Sequence, residues 1–305
     1  MEVDEASRIS ERYFGEEPRS VDQIVGGVMN NTFRLKYDTS SYILQVDGSA
    51  DAHEMENNLN CFRYLRDSRV PVPQTVTEQV REYDSRLYII VEDLKVESLD
   101  GRVTPEKTRN AGRYLAHIHD LRSFDKVGWW GWEGGEPKVL GFPGGSLRGR
   151  IEDNLEDNLE YFDEQNIGWL AEASRRFLDD YLGLVPTSPD AVFVHHDYNP
   201  GNILVNSGVV GILDFDYAHS SHSQRDLVKS ANNFWIRSNV ARQHIYKGYQ
   251  EVRRPGERFD KNEPLYRLET LIDILKGYVE HDQIEPEEVQ KYSKYVKQAE
   301  EELRS

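Results

Sequence analysis

The feature that most constrains this chain is a spaced set of polar residues among short apolar runs. It reads Val194-His195-His196-Asp197-Tyr198-Asn199-Pro200-Gly201-Asn202, followed by Asp214-Phe215-Asp216. His195, Asp197, Asn202 and Asp214 would recur at this spacing by chance at about one start position in 10⁵, taking each residue type at roughly one in twenty. Ala191 to Val194 and Ile203 to Val205 read as short buried strands, and Val209 to Phe215 as a third after the Asn206-Ser207-Gly208 turn. Pro200-Gly201 bends the first loop so that Asn202 folds back toward the side of Asp197. A carboxylate that can take a proton, with an Asn and an Asp that can hold magnesium, is the set that phosphoryl transfer from a nucleotide requires. Two readings compete with it. Each residue alone is an ordinary turn or core residue, and the His-His-Asp cluster with Asp214 suggests a transition-metal hydrolase. Adjacent histidines at a strand end face opposite sides, which disfavours the metal.

At these residues the chain resembles the aminoglycoside phosphotransferase family, the small-molecule branch of the protein-kinase-like fold. That family's signature is H-G-D-x-x-x-x-N followed by I-D-[WF]-x-D; here the residues are H-H-D-Y-N-P-G-N and I-L-D-F-D. The resemblance implies an α+β, two-lobed, protein-kinase-like fold. Its N-lobe is an antiparallel sheet plus a helix, and its C-lobe is mainly helical and carries the catalytic hairpin. It also implies that Asp197 accepts or orients the proton of a substrate hydroxyl, that His195 braces the loop, and that Asn202 and Asp214 hold Mg2+. Asp226, in Gln224-Arg225-Asp226-Leu227, matches the family's later Asp-Leu, which ties down the catalytic loop. His196 stands where the family has glycine, so a slightly different loop is expected.

The flanking segments agree with that architecture. Residues 1 to 14 read as an amphipathic helix, and Val21 to Val28, Asn31 to Tyr37 and Ser41 to Val46 as strands. Residues 53 to 67 read as a helix with Leu59, Phe62 and Leu65 on one side, ended by Val70-Pro71-Val72-Pro73. Val76 to Val80 and Leu87 to Glu92 complete the expected sheet. The division expected is residues 1–93 as a nucleotide-binding N-lobe and 94–305 as the C-lobe. Glu92-Asp93-Leu94 is then the hinge, where the family's backbone groups at Glu92 and Leu94 meet the adenine edge. Thr104-Pro105 opens a helix on which His117 and His119 read as structural or solvent-facing. The glycine- and tryptophan-rich segment 124 to 149 reads as a wall of the substrate cleft or as packing. Ile151, Leu155, Leu159 and Phe162 share one face of a helix with an acidic outer side, and Trp169 to Leu182 form another helix. Helices are expected near 225 to 250, 264 to 281 and 286 to 303, two of them opened by Pro264 and Pro286.

At the nucleotide end the pattern is weaker. Gly26-Gly27-Val28-Met29-Asn30 occupies the place of a phosphate-covering loop, with Gly26, Gly27 and Asn30 as its candidates, although a plain hairpin turn explains the same glycines. Gln45 stands where the kinase pattern has a lysine paired with an acidic residue of the next helix, and spacing does not choose between Glu54 and Glu56 for that residue. If residues 38 to 41 form the hairpin loop, Tyr37 faces Tyr42 and Arg34 faces Gln45, so Arg34 supplies the missing charge. A one-residue slip would turn Arg34 away.

The formal charge of −17, the single cysteine, Cys61, and the absence of a long apolar run point to a cytoplasmic protein without disulfides or membrane segments. Only 12 of the 37 basic residues are Lys, against 54 acidic residues, a balance expected of a halophilic source. No basic stripe favours nucleic acid. The expected enzyme transfers phosphate from ATP, with GTP as an alternative, to a hydroxyl of a small molecule such as an amino sugar or amino alcohol. Asp216 is placed to support the loop or attract a cationic acceptor. The rival, prompted by Gln45, is a catalytically impaired pseudokinase that binds nucleotide or regulates. No D-F-G or A-P-E segment bounds an activation loop, which disfavours a protein substrate.

Overall fold

Apolar residues alternate along the N-terminal third of the chain, Phe33 with Leu35 and Leu44 with Val46, so that one face of each strand must be covered. The computed structural model describes residues 2–24, 30–47, 52–187, 190–238, 240–281, 284 and 286–304, without the side chains of Asn30, Arg237, Pro286 and Glu287. In chain order its elements are α1 (Val3–Phe14), β1 (Ser20–Ile24), β2 (Asn30–Lys36), β3 (Ser41–Asp47), α2 (Ala52–Leu65), β4 (Arg81–Tyr83), β5 (Arg86–Glu92) and β6 (Glu97–Ser98). There follow α3 (Pro105–His119), β7 (Ser123–Phe124), β8 (Trp129–Glu133), β9 (Glu136–Gly141), α4 (Leu147–Glu164), α5 (Gly168–Arg176), β10 (Ala191–Val194), β11 (Ile203–Val205) and β12 (Val209–Ile212). The chain ends with β13 (His219–His222), α6 (Ser223–Arg237), α7 (Ala241–Gln250), α8 (Phe259–Glu280) and α9 (Pro286–Arg304).

By its contacts the chain forms two units, residues 1–100 with 132–136 and 201–218, and residues 101–131 with 137–200 and 219–305. A boundary at 93 and 94 follows the sequence, whereas by contacts the hairpin carrying Asn202 and Asp214 falls in the first unit. That unit is built on an antiparallel sheet of order β1-β2-β3-β5-β4. Ala6 and Ile9 of α1 cover Phe33, Leu35, Leu44, Val46, Tyr88 and Ile90 on one face, each large side chain contributing about 1.5–3 kcal/mol of burial. Thr32, Arg34, Ile43 and Gln45 occupy the other face, as the period of two requires. A second sheet, β12-β11-β6, joins the hairpin to the segment just after Glu92.

Val76 to Val80 is not a strand; the short edge strand is Arg81–Tyr83 instead. Thr77 explains the difference, because its hydroxyl accepts the Ile90 N–H at 3.1 Å and so replaces a rung of the backbone ladder.

The second unit is mainly helical around the sheet β13-β10-β7. Its helices bury Ile151, Leu155, Phe162, Phe177, Leu265, Leu268 and Leu271 in one core. α3 and α7 cross through two glycines: a Cβ on Gly112 would lie 2.2 Å from the Ile245 carbonyl oxygen, and one on Gly248 would lie 1.8 Å from that of Arg109. The Thr104 hydroxyl caps α3 by accepting the Lys107 N–H at 3.3 Å. The expected helix near 225 to 250 is two, α6 and α7. Pro264 lies inside α8, which opens earlier, at Phe259. The tryptophan-rich segment contains a hairpin, β8 and β9, turned at Gly134 and Gly135, both with positive φ. Among the described residues no helix is long and apolar enough to cross a membrane.

Candidate active site

The motif divides between the units at Pro200 and Gly201, and each half is held by its own helix. In the second unit, the loop after β10 is fixed by Asp226, one turn into α6. Its carboxylate accepts the backbone N–H of His195 at 3.2 Å and of His196 at 2.9 Å. The third donor is His119 Nε2, 3.0 Å away on α3. On its other side His119 Nδ1 lies 2.8 Å from the Tyr249 hydroxyl. Burial alone would raise the Asp226 carboxyl, but the hydrogen bond and charge of His119, with His195 and His219 beyond, hold it below the usual carboxylate value.

Two further bonds shape this loop. Tyr198, fully buried, donates to the Ala111 carbonyl at 2.8 Å. The Asn199 amide donates to the Asp197 carboxylate at 3.0 Å and holds that side chain half-buried. His195 is buried, its ring edge-on to Tyr198. His196 adopts φ 70°, the left-handed conformation in which a glycine carries no steric penalty. Burial, then Lys229, His219, Arg225 and Arg150, push its imidazole well below the usual histidine range.

In the first unit, Asn202 and Asp214 are brought together by the hairpin, because the Leu213 N–H donates to the Asn202 carbonyl at 2.9 Å. Asp214 has φ 64°, a strained conformation for a residue other than glycine. Two asparagines of α2 fix the segment after it. The Asn57 amide N–H groups point to the carbonyls of Phe215, Asp216 and Ala218 at 3.1, 2.9 and 3.0 Å, and its oxygen accepts the Trp132 indole N–H at 3.0 Å. Asn58 accepts the Phe215 N–H at 3.1 Å and reaches the Gln45 amide oxygen at 3.4 Å. The strand-to-helix ion pair of the kinase pattern is thus replaced by a neutral amide contact between Gln45 and Asn58. Asp216 is buried, and Phe215 packs edge-on to Phe62 with centroids 6.0 Å apart.

Glu56 is exposed, whereas Glu54 is half-buried. Glu54 accepts from Tyr217, whose phenol is raised by burial first and then by that carboxylate. The register of β2 and β3 differs from the expectation: Lys36 faces Ser41, Arg34 faces Ile43, and Gln45 faces Thr32. The loop is residues 37–40, closed by the Tyr37 N–H to the Ser40 carbonyl at 2.9 Å, so the pairing moves by two positions and Arg34 keeps its face. Its guanidinium lies 2.9 Å from the carboxylate of Asp93, which also accepts the Ser41 hydroxyl and the Lys95 N–H. Burial raises the Asp93 carboxyl, and those three partners bring it below its ordinary value. Glu92 ends β5, and Leu94 covers Gly211, where a Cβ would lie 2.5 Å from its Cδ1. Gly26 and Gly27 lie outside the described residues; Asn30 opens β2, with its side chain likewise outside them.

Among the described residues no group of three His, Cys, Asp or Glu side chains could hold a metal ion. The adjacent Asn202 and Asp214 fit Mg2+, a hard cation usually bound through one or two protein oxygens with water and phosphate completing the shell.

Residues 20–258 match the phosphotransferase enzyme family. The fold is similar to that of a thermostable mutant of aminoglycoside phosphotransferase APH(4)-Ia, solved in a ternary complex with AMP-PNP and hygromycin B: TM-score 0.70, 15% identity, 98% of this chain and 97% of that one. It is also similar to amicoumacin kinase hAmiN in complex with AMP-PNP, Ca2+ and Ami: TM-score 0.71, 13% identity, 99% and 94% covered. In sequence it resembles an uncharacterized protein in the ileS 3′ region of Staphylococcus aureus, 25% identical over 96 residues, 32% of this chain and 69% of that one.

Proposed function

The chain belongs to the phosphotransferase enzyme family, and from that premise we propose that it transfers the γ-phosphoryl group of ATP, with Mg2+, to a hydroxyl of a small molecule. The observation that carries this reading is the pair of immobilised loops: Asp226 holds the one with Asp197, and the Leu213-to-Asn202 bond sets Asn202 beside Asp214. Such a transfer depends on positioning and charge neutralisation more than on covalent chemistry.

In this reading Asp197 orients the acceptor hydroxyl and takes its proton, and His195 braces the loop. Asn202 and Asp214 hold Mg2+, which neutralises charge on the transferring phosphoryl group. Asp216 and Asp226 support the two loops. Backbone groups at Glu92 and Leu94 receive the base, and Gly26, Gly27 and Asn30 cover the phosphates. Residues 1–93 are the nucleotide-binding part and 94–305 the acceptor-binding part. Gln45 faces the phosphates with a neutral amide, because Arg34 is engaged by Asp93.

The reading is tested by Mg2+-dependent ADP release, measured with ATP and with GTP. Asp197→Ala and Asp214→Ala should each lower transfer by roughly 10²–10⁴-fold. Full activity in both variants would defeat the assignment. Nucleotide binding without any turnover in the native chain would favour the pseudokinase, for which Gln45 is the supporting observation.

A further inference from the structure

A cluster of cations flanks the loop that carries Asp197. In the second unit the residue before Asp197, His196, has its imidazole between two cations: Arg225 Nη1 lies 3.5 Å from Nδ1 and Lys229 Nζ lies 3.3 Å from Nε2. Both cations are neutralised. Arg225 grips Glu269 through two bonds of 2.9 and 2.6 Å, and Lys229 lies 2.7 Å from Asp273, which also accepts the Asn154 amide at 3.0 Å.

A third cation extends this cluster and, among the described residues, has no carboxylate partner. The His196 ring lies 4.9 Å from that of His219, and His219 lies 4.6 Å from Trp129, centroid to centroid. The guanidinium of Arg150, on the first turns of α4, sits 5.6 Å over the Trp129 ring. Among the described residues no carboxylate lies within ion-pair distance of Arg150, although the chain has 54 acidic side chains. Its neighbour Arg148 is used by the Gly183 and Val185 carbonyls; among the described residues Arg150 has no such hydrogen-bond partner. Stacking on an indole engages one face of the guanidinium and leaves its five N–H donors in the plane. A half-buried arginine in a chain of charge −17 would be expected to collect a carboxylate from its own surface.

We propose that Arg150 receives an oxyanion of the acceptor, a carboxylate or a phosphate ester, so that the hydroxyl phosphorylated at Asp197 belongs to an acidic small molecule rather than to an amino sugar. This rests on the phosphotransferase reading of Asp197 given above. Trp129 is the positioning residue in this arrangement, since it is held by Phe142 edge-on at 5.5 Å and by His219, and it fixes the guanidinium plane. Burial first, and then the neighbouring cations, hold the His196 imidazole well below the usual histidine range.

The experiment compares acceptors matched in size and different in charge: glycerate, glycerol 3-phosphate, glycerol and serinol, then gluconate, glucitol and glucosamine, each with Mg-ATP. At least one anion should exceed its neutral and amino counterparts by tenfold or more in kcat/KM. Glycerate against glycerol 3-phosphate separates the two sources of the oxyanion. Arg150→Gln should raise the KM for that anion about 10- to 100-fold, change kcat less than about threefold, and leave the KM of neutral acceptors unaltered, and Arg150→Lys should recover part of the loss. Neutral or amino compounds used as well as the anions would overturn the proposal, as would an Arg150→Gln loss spread evenly over all acceptors. If no acceptor turns over, calorimetry of the same compounds on the AMP-PNP-loaded enzyme decides: anion binding abolished by Arg150→Gln sustains the proposal, and charge-indifferent or absent binding sinks it. Loss of ATP binding in the native chain would instead remove the phosphotransferase reading, whatever the anions do.

Discussion

The two loops of the motif are immobilised by opposite means. In the second unit a buried carboxylate, Asp226, gathers three donors, two backbone N–H groups and His119. In the first unit the segment after Asp214 hangs on neutral amides, Asn57 and Asn58. The difference teaches that geometry can be fixed by either device, while response to pH and to charge-altering mutation is concentrated in the carboxylate-held loop. Charge-assisted bonds are stronger and depend on ionisation; amide bonds do not titrate.

The largest expected effect follows from Asp226→Ala, which strips one acceptor from three buried donors and should destabilise by about 3–5 kcal/mol, read from urea melts. Asn57→Ala leaves three carbonyls and the Trp132 N–H without their partner, but no charge. A loss of about 1–3 kcal/mol is expected there, with weaker Mg2+ binding by titration calorimetry. If Asn57→Ala proves as costly as Asp226→Ala, the contrast between the two devices is broken.

A pH series sharpens it. His196 and His222 have folded values below their ordinary 6.5, His222 at about 4, both through burial. A depressed histidine contributes stability that is fully present above its unfolded value and is lost as pH falls through the folded one. Stability should therefore decline from about pH 6.5 downward, by at most about 1.4 kcal/mol per pH unit for each group. Asp226, also depressed, obeys the same sign from its ordinary 3.8 and adds a loss only under strong acid. His196→Gly should remove one histidine's share of the slope, and relief at φ 70° should raise stability at pH 7 by about 1 kcal/mol. An unchanged slope in that variant would remove His196 from the account.

The smallest effect is assigned to Arg34→Ala. Arg34 is 33% exposed, and Asp93 keeps Ser41 and the Lys95 N–H. We expect at most about 1 kcal/mol in stability and, since the Asp93 carboxylate already engages this charge, less than about a threefold change in nucleotide affinity by fluorescence titration. A tenfold loss of affinity would return Arg34 to the phosphates and place a charge where the first unit otherwise uses amides.

Much of this architecture was legible because it is local. The period-two alternation of β2 and β3 announced an antiparallel sheet, and Thr104-Pro105 announced the start of α3, since caps and strand faces depend on neighbouring residues. Three things were not legible. His119 has the same local signal whether it faces solvent or Asp226, a residue 107 positions away in sequence. Asn57 and Asn58 are poor helix formers with no motif, and the backbone groups they hold after Asp214 lie more than 150 residues on. The Arg34 register depended on a loop of four residues placed at 37–40 rather than 38–41, which the turn sequence Asp38-Thr39-Ser40 does not decide.

By itself the sequence determined the family, because the spacing of His195, Asp197, Asn202 and Asp214 is a property of two short segments and can be read from neighbouring residues alone. Only the tertiary structure decided what holds each loop and which charges stand beside His196. Those partners arrive on α2, α3, α4, α6 and α7, and long-range pairing is set by the packing of whole helices and sheets, which no local window of sequence contains.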